Sequence, residues 1–371
     1  MVAYLDWETH NTFVKTVFMA AGVPEEDAEI CTNLITDADK KGIDSHGVNR
    51  LKPIYIDRIQ AGIQSPTTDW EVMRETPTTA VLDGADGMGQ VVSYHAMRMA
   101  IDKAKEYGMG MVAVRNSTHY GISGYYTDMA AAEGCIGASG TNARPSIAPT
   151  FSVEPKLGTN PFTWSMPTDE DFPFSFDAAT SIVQRGYIEL WDREGKQAPE
   201  GTVVGSEGQA MTDPSEILPS LVTGEAALAP LGGIGENLGG YKGYNFATIV
   251  EIMSAALQQG NYLSMLSGLD EEGKATKKYH LGHFFIAIDT EAFMGREAFE
   301  KTAGDIVREL RASKKAPGAE RIYTAGEKEY EFRIEREKTG LPINKSVQED
   351  LIHLRDELNI KDFVFPFEQE V

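Results

Sequence analysis

The amino-acid sequence predicts an α/β fold that begins with a helical unit. Three observations lead to this class. Apolar residues recur at helical spacing through the first seventy positions, short apolar runs then alternate with longer amphipathic segments, and 42% of the 371 residues are hydrophobic. Alternating strands and helices are typical of a sheet covered by helices, and a chain of this length can bury a large core in more than one unit.

Helices are predicted at the N-terminus. The first spans Asp6–Ala21 and ends at Gly22, and the second begins at Pro24, which suits a helix start. The stretch from Gln64 to Thr79 is rich in threonine and proline and indicates a linker. The elements predicted after it are a strand at Thr79–Leu82, a helix at Val91–Tyr107, a strand at Met111–Val114, a helix at Ile122–Ala132 and a strand at Ile136–Ser139.

The second half of the chain has fewer regular elements. A Gly- and Pro-rich region, Thr141–Gly243, carries short strand candidates at Phe172–Phe176 and Tyr187–Trp191. The aromatic tail around Phe363, Phe365 and Phe367 is too apolar to stay in water, so we expect it to pack on its own subunit or on a partner. The other predicted elements are a helix at Tyr244–Gln259, a strand at His283–Ile288, a helix at Glu297–Arg311 and one helix near Val347–Leu358.

Composition excludes several classes of partner. The formal charge is −22 and the isoelectric point about 4.7, so the surface repels nucleic acid and anionic lipid. An anionic substrate would therefore need local cations at its binding site. No run approaches the ~20 apolar residues of a membrane span, and the first residues lack the pattern of a secretion signal. Cys31 and Cys135 stand far apart in apolar contexts and are interpreted as reduced thiols, so a cytoplasmic protein is expected.

A compact polar stretch, Asp44–Arg50, is the first candidate for chemistry. His46 can exchange a proton near neutral pH, Ser45 can orient a ligand, and Arg50 can bind a carboxylate through its planar fork. Taken alone, the stretch is better explained as a helix cap, in which Asp44 or Ser45 accepts hydrogen bonds from free backbone amides.

A second histidine reverses that preference. His119 lies in the segment Asn116–Gly124, which follows a buried strand, and functional residues of α/β proteins often stand at the carboxyl end of a strand. The turn Asp83–Gln90 is similar to a dinucleotide-binding fingerprint, but Val92 occupies the third glycine position. We interpret it as an ordinary tight turn.

Weaker motifs occur further along the chain. The segment Leu157–Pro161 offers small residues for close approach to a flat ligand, and Asp177 can accept a hydrogen bond from a ribose hydroxyl or orient an imidazole. The glycine-rich stretch before Lys242 leads into a helix, which suits a phosphate. His280 and His283 have metal-ligand spacing but lack a third ligand nearby, so no metal is predicted.

These motifs occur in an order that is similar to a known family. They are Asp-Ser-His-Gly with Arg50, Asn-Ser-Thr-His-Tyr-Gly at 116–121, Thr141–Pro145, Leu157–Pro161, Phe176–Ser181, Tyr241–Tyr244 and Ala325–Glu327. Together they resemble the type 2 malate/L-lactate dehydrogenase family, the sulfolactate-dehydrogenase-like NAD(P)-dependent oxidoreductases. The resemblance covers roughly Asp6 to Glu337.

The resemblance implies a non-Rossmann α/β cofactor domain, built from a mixed, largely antiparallel sheet with flanking helices. It also implies homodimers. Applied to this chain, it divides the sequence into a helical substrate-side unit at 1–75, an NAD(P)-binding α/β domain at 76–330, and a C-terminal helical tail at 331–371 that packs back on the core or on the dimer partner.

The resemblance also assigns roles to residues. His46 and His119 stand near the reacting carbon, and Ser45 and Asp177 complete the predicted catalytic set. The expected substrate-binding residues are Arg50 and Tyr55, and the expected cofactor contacts are Asp177, Ala178, Ala179, Lys242, Gly326 and Glu327. Arg144 stands where small hydroxyl residues are commoner, and it either holds the distal carboxylate of oxaloacetate or points to solvent.

The function expected from the sequence is reversible hydride transfer between NAD, with NADP possible, and oxaloacetate or malate. The same chemistry on lactate, sulfolactate, ureidoglycolate or a cyclic imino acid is the alternative. A serine hydrolase that uses Ser45 and His46 is disfavoured, because adjacent side chains on a turn generally diverge and the G-x-S-x-G pattern is absent. A dinucleotide-binding protein without catalysis stays open.

Overall fold

The computed structural model describes residues 2–269, 272, 274, 278–360 and 363–368, so parts of the predicted tail, 361–362 and 369–371, lie outside the described residues. The strands are β1 (Ala3–Leu5), β2 (Glu71–Glu75), β3 (Thr79–Asp83), β4 (Met109–Ser117), β5 (Cys135–Thr141), β6 (Phe162–Met166), β7 (Phe174–Ala178), β8 (Val203–Gly205), β9 (Ala226–Leu228), β10 (Leu281–Asp289) and β11 (Leu341–Ile343).

Helices make up most of the remaining regular structure. They are α1 (Trp7–Ala20), α2 (Glu25–Lys40), α3 (Asp57–Gln60), α4 (Gly89–Tyr107), α5 (Ser123–Ala132), α6 (Arg185–Glu194), α7 (Pro214–Thr223), α8 (Gly240–Ala255), α9 (Arg296–Arg311), α10 (Glu327–Thr339) and α11 (Lys345–Glu357). Within the described part of the chain, none of them has the length and apolar content needed to cross a bilayer.

Seven strands form one mixed sheet in the order β2-β3-β4-β10-β5-β6-β7. β3 and β4 run parallel and are joined through α4, whereas the other five pairings are antiparallel. Buried side chains of α4 and α5 pack against strand residues such as Val112, Val114 and Phe285. The expected mixed α/β fold is therefore confirmed.

The N-terminal helices share a hydrophobic core with the C-terminus. Phe13 of α1 contacts the rings of Phe363 and Phe365, with centroids 4.9 and 4.7 Å apart, and Leu351 and Leu354 of α11 belong to the same buried cluster. β1 also pairs with β11. The tail thus packs on its own chain, and the described residues of 1–75 and 331–371 are joined by one core. The three-part division of the chain itself stays a prediction.

Several predicted elements differ from the structure. Tyr187–Trp191 is a strand candidate in the sequence, but it lies in α6, where Ile188 and Trp191 pack toward Ile217 of α7. The expected linker contains the edge strand β2, and the charged C-terminal region contains a second helix, α10. Exposed, charged elements such as β2 and α10 carry little hydrophobic periodicity, which explains why the pattern did not reveal them.

The packing of the tail leads to a stability prediction. Phe365 is fully buried against Phe13, so Phe365→Ala should lower the free energy of unfolding by about 3–5 kcal/mol through lost contacts and a cavity. Phe293→Ala is the matched control, because that ring is 71% exposed and its loss should change stability little. Chemical denaturation of the three proteins measures the difference, and equal stabilities would contradict the docked tail.

Candidate active site

The polar stretch 44–50 lies in an irregular loop between α2 and a short helical segment. Val48–Arg50 forms a 3-10 turn and Leu51–Ile56 a π-helical turn that leads into α3. The expected side-chain cap at this turn is wrong. Asp44 instead pairs with Arg336 of α10 at 2.6 Å, and the Ser45 hydroxyl lies 2.8 Å from His46 Nδ1.

A buried carboxylate holds this loop in place. Asp39 Oδ2 accepts hydrogen bonds from the Val48 amide at 2.9 Å and contacts His10 Nε2 at 3.0 Å. Gly47 packs so closely that an added Cβ would lie 1.6 Å from Asp39 Oδ1. Arg336 donates to the Asp39 carbonyl oxygen at 2.6 Å as well as to Asp44. The loop is therefore fixed from α2 and from the C-terminal helix α10 together.

The two predicted histidines meet in this structure. The rings of His46 and His119 lie nearly parallel, with centroids 5.7 Å apart and an angle of 17°. Tyr55, fully buried, has its hydroxyl 2.9 Å from His119 Nδ1, and the Gly121 amide donates to the same nitrogen at 3.3 Å. Because an amide can only donate, Nδ1 is the acceptor and Nε2 carries the proton of the neutral His119 ring.

Both imidazoles are neutral at neutral pH. Burial lowers the pKa of His46 to about 4, with a further contribution from Arg50. Burial also lowers the pKa of His119, and electrostatic interactions with His46, which disfavour a second protonated ring, and with the cations Arg58 and Arg50 act in the same direction. The Nε2 atoms of both rings are free of hydrogen-bond partners among the residues that the structure describes. Each ring can therefore face a ligand.

Three guanidinium groups gather beside the histidines. Arg50 donates to the Ser45 carbonyl oxygen at 2.5 Å, while Arg58 and Arg144 lie over the ring of Tyr279. None of the three arginines forms an ion pair with a carboxylate of the described chain, whereas most other arginines do. Sequence reasoning missed Arg58 and Tyr279. Arg58 follows Arg50 by eight residues, about two helical turns. This spacing could have indicated that the two arginines belong to one site.

The side chains of Ser45 and His46 were expected to diverge, but they lie within hydrogen-bond distance of each other. They nevertheless do not form the catalytic triad of a serine hydrolase. Ser45 occupies Nδ1 of His46, and no carboxylate orients the ring among the described residues. A triad needs the nucleophile on one nitrogen and the orienting acid on the other. The geometry therefore disfavours the serine hydrolase.

A cleft of about 840 Å³ adjoins the loop that carries His119. Gly124, Asp177, Ala325 and Gly326 line it, and so do five aromatic side chains, Tyr125, Phe172, Phe176, Tyr323 and Tyr330. Its volume and its aromatic walls fit a nucleotide, because most small-molecule sites span ~300–1,000 Å³. Two of the expected cofactor contacts, Asp177 and Gly326, thus face one cleft.

Asp177 does not orient an imidazole, as had been considered. Its two oxygens accept from the Gly124 amide at 2.7 Å and from the Thr163 hydroxyl at 2.9 Å, which fixes the start of α5. Glu327 is also engaged, because it accepts from the Thr324 amide at 3.0 Å and pairs with Arg321 and Arg311. Both carboxylates are therefore engaged within the protein, and of the two Asp177 lines the cleft whereas Glu327 is buried behind it.

Other expected cofactor residues lie outside the lining of this cleft. Lys242 is exposed at the start of α8, with its ammonium 5.8 Å from the Tyr241 ring centre. The glycines before it permit close backbone packing, since a Cβ on Gly240 would lie 2.0 Å from the Gly233 carbonyl oxygen. Ala178 ends β7 and Ala179 follows it, beside Asp177.

The remaining histidine motif serves the core. His283 lies between β4 and β5, with Nδ1 2.7 Å from the Thr141 hydroxyl and Nε2 2.7 Å from that of Ser117. Burial lowers the pKa of His283 to about 3. His280 pairs instead with Asp86 at 2.6 Å. No cluster of potential metal ligands occurs among the residues described by the structure.

Two partly buried imidazoles define, together with a nucleotide-sized cleft, an enzyme that acts on a small organic anion. Beside them lie guanidinium groups that have no carboxylate partner among the described residues. Residues 5–352 match the family model described as malate/L-lactate dehydrogenase. The chain belongs to this family and is a 2-hydroxy acid dehydrogenase.

Individual relatives agree with this classification. A malate dehydrogenase of Pyrococcus horikoshii is 42% identical over 350 residues, which is 94% of each chain. An L-sulfolactate dehydrogenase of Methanocaldococcus jannaschii is 37% identical and covers 96% of this chain and 98% of its own length. The crystal structure of malate dehydrogenase from Entamoeba histolytica superposes with a TM-score of 0.92 and 45% identity over 97% of this chain and 99% of that one.

The depressed histidine pKa values predict acid instability. The folded state keeps His46, His119 and His283 neutral, while the unfolded chain protonates them below pH ~6.5. The stability that their neutral state contributes is complete above that pH and is lost as the pH falls toward the folded pKa values. Each group contributes a slope of up to about 1.4 kcal/mol per pH unit.

His283→Gln tests this expectation, because an amide can keep both hydrogen bonds without titrating. Its free energy of unfolding should fall less steeply between pH 7 and 5 than that of the wild type. His353→Gln, at an exposed position of α11, should leave the slope unchanged. Parallel slopes for the His283 variant and the wild type would contradict the assignment.

Proposed function

We propose that this protein is a NAD-dependent malate dehydrogenase. The observation that carries the proposal is the pair of neutral imidazoles near Arg50 and Arg58. The Nε2 atom of each ring has no hydrogen-bond partner among the described residues. A chain with a charge of −22 keeps unpaired guanidinium groups there, which fits an anionic substrate. The names of the malate dehydrogenase relatives support the same substrate.

The two histidines serve different purposes in this proposal. His119 has an amide and a phenol directed at Nδ1, so protonation of that nitrogen is unfavourable and the ring acts as a neutral donor through Nε2. His46 faces the Ser45 hydroxyl, which can either donate or accept. His46 is therefore the ring that can take the substrate proton and return it, while His119 stabilises the charge that develops on the substrate oxygen.

Substrate binding raises the proton affinity of His46. The positive charge of Arg50 lowers the pKa of this ring, and a carboxylate bound to Arg50 would cancel that effect. A nicotinamide dinucleotide held in the cleft beside Asp177 and Gly326 would supply the hydride chemistry of this reaction. The pKa of His46 that appears in the pH profile of kcat for oxaloacetate reduction should consequently exceed the one that appears in kcat/KM. The rate should fall as the pH rises through this pKa, because the reduction needs a proton from His46.

The pH profile distinguishes the two rings. His46→Gln and His119→Gln should each lower turnover by about 10² or more, the scale of proton transfer and oxyanion stabilisation. The residual activity of the His119 variant should still fall as the pH rises through the pKa of His46. That of the His46 variant should lose this pH dependence. Stopped-flow oxidation of NADH by oxaloacetate provides the rates. If the pH dependence persists in the His46 variant, His46 is not the residue that transfers the proton, and the assignment of the two rings is reversed.

The cleft favours NAD over NADP. Seven carboxylates and four basic side chains line it. Lys41, Arg296 and Arg333 already pair with carboxylates, and the ammonium of the fourth, Lys328, lies 4.7 Å from the ring centre of Tyr323. A 2′-phosphate needs a cation that is free to bind it, whereas ribose hydroxyls bind carboxylates. Contact of Lys242 with the dinucleotide stays a prediction.

A homodimer in the cytoplasm completes the proposal. The outer face of α8 exposes apolar side chains, Tyr241, Phe246, Ile249 and Ile252, and borders an apolar hollow of about 680 Å³. Exposed patches of this kind commonly form interfaces between subunits. The free thiols Cys31 and Cys135, both buried, suit a reducing compartment.

The substrate proposal has a comparative test. Oxaloacetate should exceed pyruvate in kcat/KM, because a second carboxylate can reach the unpaired arginines. Arg144→Ala should reduce kcat/KM for oxaloacetate more than for pyruvate, since its guanidinium lies over Tyr279 without an acidic partner among described residues. A native preference for pyruvate would remove malate and leave lactate, sulfolactate, ureidoglycolate or an imino acid as the substrate.

A further inference from the structure

We propose that Arg58, supported by Tyr279, is the residue that binds the second acid group of the substrate and thereby selects diacids. The inference rests on the proposed 2-oxo acid chemistry of the same site and extends it to substrate selection. It assigns Arg50 to the carboxylate beside the reacting carbon and Arg58 to the distal carboxylate or sulfonate.

The position of Arg58 is the first argument. Its guanidinium carbon lies 4.9 Å from the ring centre of Tyr279, which is buried, and Arg144 lies over the same ring at 5.9 Å. A guanidinium stacked on an aromatic face keeps its edge N–H donors free for a planar anion. Tyr279 therefore serves as a platform between two cations.

The charge environment is the second argument. Burial lowers the pKa of Arg58, and the nearby positive charges of Arg144 and Arg50 act in the same direction. Three cations that repel one another without a carboxylate partner among the described residues are costly in the free enzyme. An incoming dianion relieves this repulsion, whereas a monoanion at Arg50 leaves Arg58 and Arg144 facing each other.

Proximity to the reacting groups is the third argument. The positive charge of Arg58 acts on both His119 and Tyr55, as the pKa shifts of those groups record. Arg58 also follows Arg50 on the same helical segment, and the positive charge of Arg50 acts on the Arg58 guanidinium. Arg144 is exposed, and Arg58 is partly shielded from water, so a carboxylate binds Arg58 more strongly.

The platform itself is anchored. The neighbours of Tyr279, Lys278 and His280, both pair with Asp86, at 3.1 and 2.6 Å. Asp86 and His280 each adopt a positive φ, 55° and 52°, a conformation that is unfavourable for these residues unless contacts maintain it. The turn that was similar to a dinucleotide fingerprint thus holds the ring under Arg58.

The test compares Arg58→Gln with the wild type on oxaloacetate and pyruvate. We expect kcat/KM for oxaloacetate to fall about 30-fold, equivalent to about 2 kcal/mol, and that for pyruvate to change less than threefold. Arg74→Gln, on the exposed strand β2, is the control and should change neither value. Arg58→Lys should recover part of the loss, since a point charge remains. Equal losses for both substrates would overturn the proposal.

A binding measurement keeps this test separate from the proposed reaction. Malate at millimolar concentration should raise the melting temperature of the NADH-bound wild type more than lactate does, and Arg58→Gln should abolish the difference. If none of the 2-oxo acids supports oxidation of NADH by the wild type, the proposed function fails. The shift in melting temperature with malate still decides whether Arg58 binds the second acid group. A malate shift that is equal in both proteins would refute the role of Arg58.

Discussion

A buried carboxylate, Asp39, holds the loop of residues 44–50 in place. Asp39 is 2% exposed, and it ties the Val48 amide to His10 while Gly47 packs against its other oxygen. Burial raises its pKa, and the hydrogen bonds from His10 and Val48 oppose that shift. An unpaired buried carboxylate is expensive, so the folded state requires the loop to supply these donors. The positions of His46 and Arg50 follow from these contacts, because both residues belong to the same loop.

Helix α10 connects this loop to the cleft of about 840 Å³. Its first turn follows Gly326, which lines the cleft, and its last turn carries Arg336, which binds Asp44 and the Asp39 carbonyl oxygen. Arg333 of the same helix pairs with Asp37 of α2. Helix α10 thus links one wall of the cleft to the loop that carries His46 and Arg50.

Repulsion among neighbouring positive charges favours the binding of an anion beside the two histidines. Arg50 and Arg58 lower the pKa of His119, and the arginines repel one another, so the free enzyme stores unfavourable interactions among neutral imidazoles and unpaired cations. A strongly acidic chain would ordinarily neutralise them with carboxylates, as it does for Arg308, Arg336 and Arg355. Arg50, Arg58 and Arg144 have no such partner among the described residues, and the proposed binding of an anionic substrate rests on this difference.

The sequence by itself determined the fold class, most of the sheet and its helices, and the two histidines with Arg50, because hydrophobic periodicity and ordered motifs are local properties of the chain. It did not reveal α10, whose charged surface lacks periodicity, nor the roles of Asp39, Arg336 and Tyr279. Those roles arise from contacts between segments up to about three hundred residues apart, such as Arg336 with Asp39. Burial, charge repulsion and long-range hydrogen bonding exist only after the chain has folded, so the tertiary structure alone decided them.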